Sequence, residues 1–146
     1  MRISTRARYG LRLMLDLAIK HGKGPIFLKD VSRSQEISEK YLGQIIMPLK
    51  AAGLVQSFRG AHGGYTLRRD PDKITVREIV ATLEGDLNLV DCVTKPSSCE
   101  RFPGCVTQQV WCQVAKAVMD TLEAITLAEL VKRQRERSED TSSYAI

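Results

Sequence analysis

Residues 37–69 read Ile37-Ser38-Glu39-Lys40-Tyr41-Leu42-Gly43-Gln44-Ile45-Ile46-Met47-Pro48-Leu49-Lys50-Ala51-Ala52-Gly53, then Leu54-Val55-Gln56-Ser57-Phe58-Arg59-Gly60-Ala61-His62-Gly63-Gly64-Tyr65-Thr66-Leu67-Arg68-Arg69. Ser38 is a preferred helix N-cap, and Ile37 with Leu42 sit where a hydrophobic staple closes. The helix that starts at Glu39 has its apolar face on Tyr41, Leu42, Ile45, Ile46 and Leu49 at 3-4 spacing, and Gly53 supplies the left-handed residue that stops it. Lys40, Gly43, Gln44 and Lys50 face the other way. Pro48 lies inside this helix and predicts a bend without a break, at a cost of about 3 kcal/mol in an unadapted site. Leu54 to Arg59 and Tyr65 to Arg69 read as two extended segments joined by a glycine-rich tip that permits positive φ and close backbone approach. A helix-turn-helix running into a β-hairpin is a winged helix, a device for gripping duplex DNA.

Working outward on the N-terminal side, Ala7, Leu11, Met14, Leu15 and Ala18 follow helical spacing from about Ile3 to His21, while Leu13, Leu17 and Ile19 add a second apolar side. That second side calls either for a partner subunit or for a wholly internal helix. Arg2, Arg6, Arg8 and Arg12 crowd the first half, where a helix N-terminus can meet phosphate. Leu28 to Ser34 is a short helix with Leu28 and Val31 inward.

Beyond the hairpin, Thr75-Val76-Arg77-Glu78 is a capping box with Ile74 and Ile79 as its staple, opening a helix from Val76 to Glu84 that Gly85 stops. Asp86 to Gly104 carries Pro96, Ser97, Ser98, Pro103 and Gly104 and no sustained periodicity, and loops of such length are functional or disordered. Val106 to Ala124 lacks Gly and Pro and bears a stripe of Trp111, Val114, Ala115, Val118, Met119, Leu122 and Ile125. One long helix is expected there. With a single short helix after it, capped by Thr126-Leu127-Ala128-Glu129 and ending near Arg135, it has too little chain of its own to lie against, which predicts pairing with its copy in a twofold dimer. The polar residues 138–146 read as a flexible tail.

Charge divides the chain at the same place as the motifs. Residues 1–69 hold 13 Lys/Arg against 4 Asp/Glu, a net +9, and residues 70–146 hold 9 against 13, a net −4. A polyanion-binding module joined to a non-binding segment has this asymmetry, because phosphate neutralisation supplies most sequence-independent affinity. No run approaches the roughly 20 apolar residues of a membrane span, and no apolar signal core follows Met1, so a cytoplasmic protein without membrane contact is expected. The only histidines, His21 and His62, are not next to a cysteine, and no nucleotide loop of recognised spacing is present, which argues against an enzyme.

Cys92, Cys99, Cys105 and Cys112 are separated by six, five and six residues. In a reducing compartment a disulfide framework is disfavoured, and the spacing is not the short pair of structural zinc knuckles. Thiolates on a flexible loop fit a larger soft object, an iron-sulfur cluster. If the long helix has begun by Cys105, Gln108 and Cys112 share its face at i+3 and i+7.

The opening Met1-Arg2-Ile3-Ser4-Thr5-Arg6-Ala7-Arg8-Tyr9-Gly10, together with Ile37 to Gln44, Gly53-Leu54-Val55, Arg59 to Leu67 and Ile125-Thr126-Leu127-Ala128-Glu129-Leu130, resembles the Rrf2 family of bacterial winged-helix regulators over nearly the whole chain. Its iron-sulfur cluster regulators and its cysteine-metabolism repressors are the nearest branches. The resemblance implies a repressor, in some members a dual regulator, of cluster biogenesis or sulfur metabolism, with a long helix crossing to the partner subunit of a homodimer. It also implies that Cys92, Cys99 and Cys105 hold a cluster, most often 2Fe-2S, since cysteine-metabolism repressors generally lack these thiols. The cluster branch commonly places a histidine three residues after the third cysteine, where this chain has Gln108. The nitric-oxide-sensing branch draws an acid from the N-terminal helix, where Arg6, Arg8 and Arg12 stand here. Cys112 is expected to complete the site as fourth ligand, with Asp91 or an exogenous thiol as the alternatives. Many relatives also have glutamate on the recognition helix in place of Gly43.

The expected architecture is therefore mainly α with a small β-hairpin. It comprises a winged helix-turn-helix DNA-binding domain over 1–85, a cysteine-rich cluster-binding loop over 86–105, dimerisation helices over 106–137 and a flexible tail over 138–146. The residues expected on a double-stranded operator are Arg6, Ser38, Lys40, Tyr41, Gln44, Arg59, Gly60, His62 and Gly63, with Gln44 reading bases and Lys40, Arg6 and Tyr41 meeting phosphate. An alternative keeps DNA binding but replaces the cluster by thiol oxidation or by a protein partner, either an iron-sulfur scaffold or a cysteine-metabolism protein.

Overall fold

The structure, a computed structural model, describes residues 2–144; Met1, Ala145 and Ile146 lie outside the described residues. Seven helices and one hairpin follow in the order α1 (Thr5–Ile19), α2 (Leu28–Gln35), α3 (Glu39–Ala51), β1 (Val55–Phe58), β2 (Gly64–Leu67), α4 (Val76–Glu84), α5 (Asp91–Thr94), α6 (Val106–Glu123) and α7 (Leu127–Ser143). None of the described helices is long and apolar enough to cross a membrane.

Helix α1 is the centre of the molecule. Leu13, Met14 and Leu17 are almost wholly buried, and α1 packs on α2, α3, α4 and α7. Leu13 and Leu17 are thus covered within the chain, while Leu11, Leu15 and Ile19 are half-buried against the same core. Gly10 lets α4 approach closely, because Leu83 fills the space a Cβ would occupy. Asp16, only 5% exposed, was not foreseen as a core residue. Its carboxylate accepts from Ser34 Oγ at 2.9 Å and Lys20 Nζ at 3.2 Å, so a buried charge ties α1 to α2 with its partners supplied.

In α3 the Ser38 hydroxyl accepts the Tyr41 amide at 3.0 Å, and Leu42, Ile45, Ile46 and Leu49 are buried. The helix is continuous through Pro48. The ring frees the carbonyl of residue 44, an exposed position where water can replace the lost donor. Gly53, at φ 74°, ends the helix as expected.

The capping box of α4 is complete, with Glu78 N–H on Thr75 Oγ1 at 3.2 Å and Thr75 N–H on Glu78 Oε2 at 3.3 Å. The second expected box is half formed. Thr126 Oγ1 accepts the Glu129 amide, but the Glu129 carboxylate turns to Arg133. The two capping segments lie side by side, Val76 N–H donating to Ile125 O and Leu127 N–H to Ile74 O, and this pairing fixes the start of α7 beside the start of α4 while α7 itself packs on α1.

Two expectations are corrected. The segment 86–105 is not featureless, since α5 and two 3-10 turns, Pro96–Ser98 and Phe102–Gly104, run through it. The flexible tail expected from residue 138 is helical to Ser143 as part of α7. There is no Gly or Pro to stop α7, and Ser138, Thr141, Ser142 and Ser143 each donate to the carbonyl four residues back. From Lys132 onward the described part of α7 is exposed on every side.

Candidate nucleic-acid interface and thiol loop

The outward stripe of α3 consists of Lys40, Gly43, Gln44 and Met47, opposite the buried stripe that holds α3 to the core. Ser38 is exposed but its hydroxyl is used as the cap. Tyr41 is half-buried and meets Tyr9 edge-on, with ring centroids 6.0 Å apart and planes at 80°. The Arg12 guanidinium lies 5.4 Å from the Tyr9 ring centre and donates to Gln35, so it links α1 to the end of α2. Arg6 is exposed and makes no side-chain hydrogen bond among the described residues, which leaves it available to an incoming phosphate.

The wing is an antiparallel pair with Val55 opposite Leu67 and Phe58 opposite Gly64. Its root is anchored by a rung to the segment before α2, where Tyr65 N–H donates to Ile26 O at 2.8 Å and Ile26 N–H to Tyr65 O at 3.0 Å. Gly64, at φ 123°, sits directly against Ile26, and a Cβ there would come within 2.5 Å of the Ile26 carbonyl oxygen. Arg59, Gly60, Ala61 and His62 are exposed at the tip. Gly63, expected among the contact residues, is instead buried, its amide spent on Gly60 O at 3.0 Å. It closes the turn and leaves the outer surface to its neighbours.

Behind the head, Asp86 organises the start of the thiol loop. Its Oδ1 accepts the Asn88 amide at 2.9 Å and the Asn88 side chain at 2.5 Å, and Oδ2 accepts Thr94 Oγ1 at 3.0 Å, which folds the chain back onto α5 and Cys92. The Asp86-x-Asn88 spacing is the sequence signal that would have found this Asx turn. The Asn88 amide, then the Thr94 hydroxyl, hold the Asp86 carboxyl below its ordinary value of 3.8. A depressed folded-state value means the contribution is full above 3.8 and disappears as pH falls through the lower folded value. Acidification below 3.8 is therefore expected to lower the protection of the Asn88 amide, measured against the intrinsic exchange rate at the same pH, and Asp86→Ala to lower it at neutral pH and remove the acid response. Equal Asn88 exchange in both proteins at neutral pH would contradict this role.

All four cysteines are free and half-buried. Cys92 lies in α5, Cys99 follows the first 3-10 turn, Cys105 precedes α6 and Cys112 lies two turns inside it. The Cys105 thiol is held below its ordinary value, first by the Thr107 hydroxyl at 3.2 Å and then by the Gln108 amide, with a smaller attraction from Arg101. It opens on a surface hollow lined by Arg101, Pro103, Gly104 and Thr107. Gln108 Nε2 donates to Cys112 Sγ at 2.7 Å. Along an α-helix seven residues span about 10 Å, so Cys112 stands well up α6 from Cys105.

Among the described residues no three His, Cys, Asp or Glu side chains are gathered as a metal site. The donors nevertheless fit a thiolate-ligated group in kind, because three reduced thiols sit on a segment of short turns outside the buried core and one of them is already biased toward thiolate. His21, which meets Asp70 at 3.2 Å, and His62 on the wing add nothing to that segment.

Comparison with known proteins agrees with this arrangement. The sequence profile of the Rrf2 family, described as "Iron-dependent Transcriptional regulator", matches residues 3–133. The HTH-type transcriptional regulator CymR of Bacillus subtilis is 42% identical over 130 residues, 89% of either chain. The HTH-type transcriptional regulator IscR of Xenorhabdus nematophila is 37% identical over 134 residues, 92% of this chain and 81% of that one. Among solved structures, that of CymR (YrzC), the global cysteine regulator of B. subtilis, superposes with a TM-score of 0.79 at 40% identity, covering 91% of this chain and 98% of the other.

Proposed function

The chain belongs to the Rrf2 family of transcriptional regulators, and from that premise we propose that it is a dimeric repressor whose thiol loop senses iron-sulfur status and adjusts its grip on an operator. Its relatives are regulators and not enzymes. Helix α3 enters the major groove, with Gln44 reading base edges and Lys40, Arg6 and Tyr41 on phosphate. The wing from Arg59 to Tyr65 reaches the neighbouring minor groove, where Arg59, Gly60 and His62 are the contacts. Exposure of Lys40, Gln44, Arg6 and Arg59 on the +9 half of the chain supports this placement.

Dimerisation through α6 is supported by its lack of cover. Ala115 is its one buried residue among those described, while Val106 is 74%, Val110 50% and Trp111 41% exposed. On its inner side α6 leans on α4 through polar contacts such as Arg77 with Glu123 at 3.8 Å. The division of labour that follows is a head over 1–85, a sensing loop over 86–105 and dimerisation helices from 106 to about 137.

Cys92, Cys99 and Cys105 would hold a 2Fe-2S cluster, with Cys112, Asp91 or an exogenous thiol as fourth ligand. When bound, such a group supplies redox and occupancy states that report cellular iron and sulfur. The chain's own part is mechanical. Asp86 fixes where the loop leaves α4, and Cys105 fixes where it enters α6, so drawing the thiols together shifts α5 and the start of α6 relative to the head. A shift of a few kcal/mol between dimer geometries suffices to regulate both half-sites. The carrying observation is four free cysteines within 21 residues, set between the basic head and the uncovered helix.

One observation favours a second reading. A thiolate-biased Cys105 in a chain 42% identical to CymR also suits a cysteine-metabolism repressor that answers to thiol oxidation or to a protein partner. The two are separated by measuring duplex affinity and sedimentation of protein purified anaerobically, with and without added iron and sulfide. A dimer whose affinity changes with reconstitution is expected; a monomer at micromolar concentration, or equal affinity in both states, overturns the sensing dimer.

A further inference from the structure

On the outward face of α3 the central side chain is apolar. Met47 is 63% exposed, more than any other large hydrophobic residue among the described residues of the head, and it stands on α3 among Lys40, Gln44 and Lys50. At 100° per residue it lies within about 30° of the direction opposite the buried stripe Leu42, Ile45, Ile46 and Leu49. One turn earlier Gly43 offers no side chain, and the space where its Cβ would stand is open to 4 Å. The methionine therefore has an unobstructed notch beside it, three rotatable bonds with which to use it, and Gln44 on its flank.

Nothing in the fold asks for an apolar group there. The uncovered face of α6 carries its own valines and tryptophan, and Met47 contributes nothing to the core around α1. In a major groove, by contrast, the one apolar feature on the base edges is the 5-methyl group of thymine. We propose that Met47 is a specificity-determining residue that packs on a thymine methyl group in each half-site, beside the base hydrogen-bonded by Gln44. This rests on α3 occupying the major groove. It assigns the recognition helix a mixed code, one polar and one apolar reader, with Gly43 providing clearance for both.

The test uses the full-length protein and duplexes enriched from a random-sequence library, with each thymine then replaced singly by uracil, which removes only the methyl group. Wild-type protein should lose about three- to fourfold in affinity at one thymine per half-site, the amount expected from uncovering one carbon. Met47→Ala should bind thymine and uracil duplexes alike at that position, and Met47→Leu should restore the preference. If wild type is indifferent to uracil at every thymine while still enriching a sequence, the assignment of Met47 is wrong and the groove placement of α3 stands. If no sequence is enriched at all, the groove placement fails and Met47 with it.

Discussion

Replacing Cys92, Cys99 or Cys105 singly with alanine is expected to bring iron and sulfide in anaerobically purified protein down to background, while the circular dichroism of the head stays unchanged. The loop cysteines lie outside the buried core, so their loss removes donors without opening a cavity. Cys112→Ala is expected to leave a weaker, more readily lost cluster. Its thiol accepts from Gln108 Nε2 at 2.7 Å, and that residue stands where a histidine serves in the cluster-binding branch. Gln108→His should therefore make Cys112 dispensable, since an imidazole at the first turn of α6 supplies a donor that an amide does not. Full iron and sulfide content in the Cys92, Cys99 and Cys105 triple variant would eliminate the loop as the site. A colourless wild-type protein after reconstitution would favour the thiol-oxidation reading.

The second large effect is expected in the wing and involves no charge. Gly64→Ala should destabilise the protein by about 3 kcal/mol, because φ 123° is strained for any residue with a Cβ and the added atom would press on Ile26 O, C and N at 2.5, 2.6 and 2.9 Å. Relief requires breaking the Ile26–Tyr65 rung, which frees the wing from the head, so duplex affinity should fall with stability. Gly43→Ala is the contrasting substitution. It sits mid-helix in open space, and should raise stability by about 1 kcal/mol through helix propensity. Urea denaturation of both variants checks the pair, and an unchanged midpoint in Gly64→Ala would show that the rung does not constrain the wing.

Both results turn on residues whose importance differs in how far it could be read beforehand. Ser38, Gly53, Thr75 and Gly85 were legible because a cap or stop acts within one turn of chain, and the structure bears each of them out. The winged-helix order, the long α6 and the clustering of the cysteines were legible as patterns of period or spacing. The end of α7 was misread, since polar composition resembles a tail while nothing in 136–143 breaks a helix. Gly63 was misplaced because two adjacent glycines look alike in a sequence and only the folded turn buries one of them.

By itself the amino-acid order determined the local elements, the split of charge at residue 69 and the four-thiol spacing, all of which depend on neighbours a few positions apart. Tertiary structure alone decided that α1 is packed upon by α2, α3, α4 and α7, that Asp16 is a buried charge with partners, and that Met47 is left exposed on the outward stripe of α3. These outcomes depend on segments distant in the chain competing for the same buried surface. No periodicity records which of two apolar faces another helix will reach.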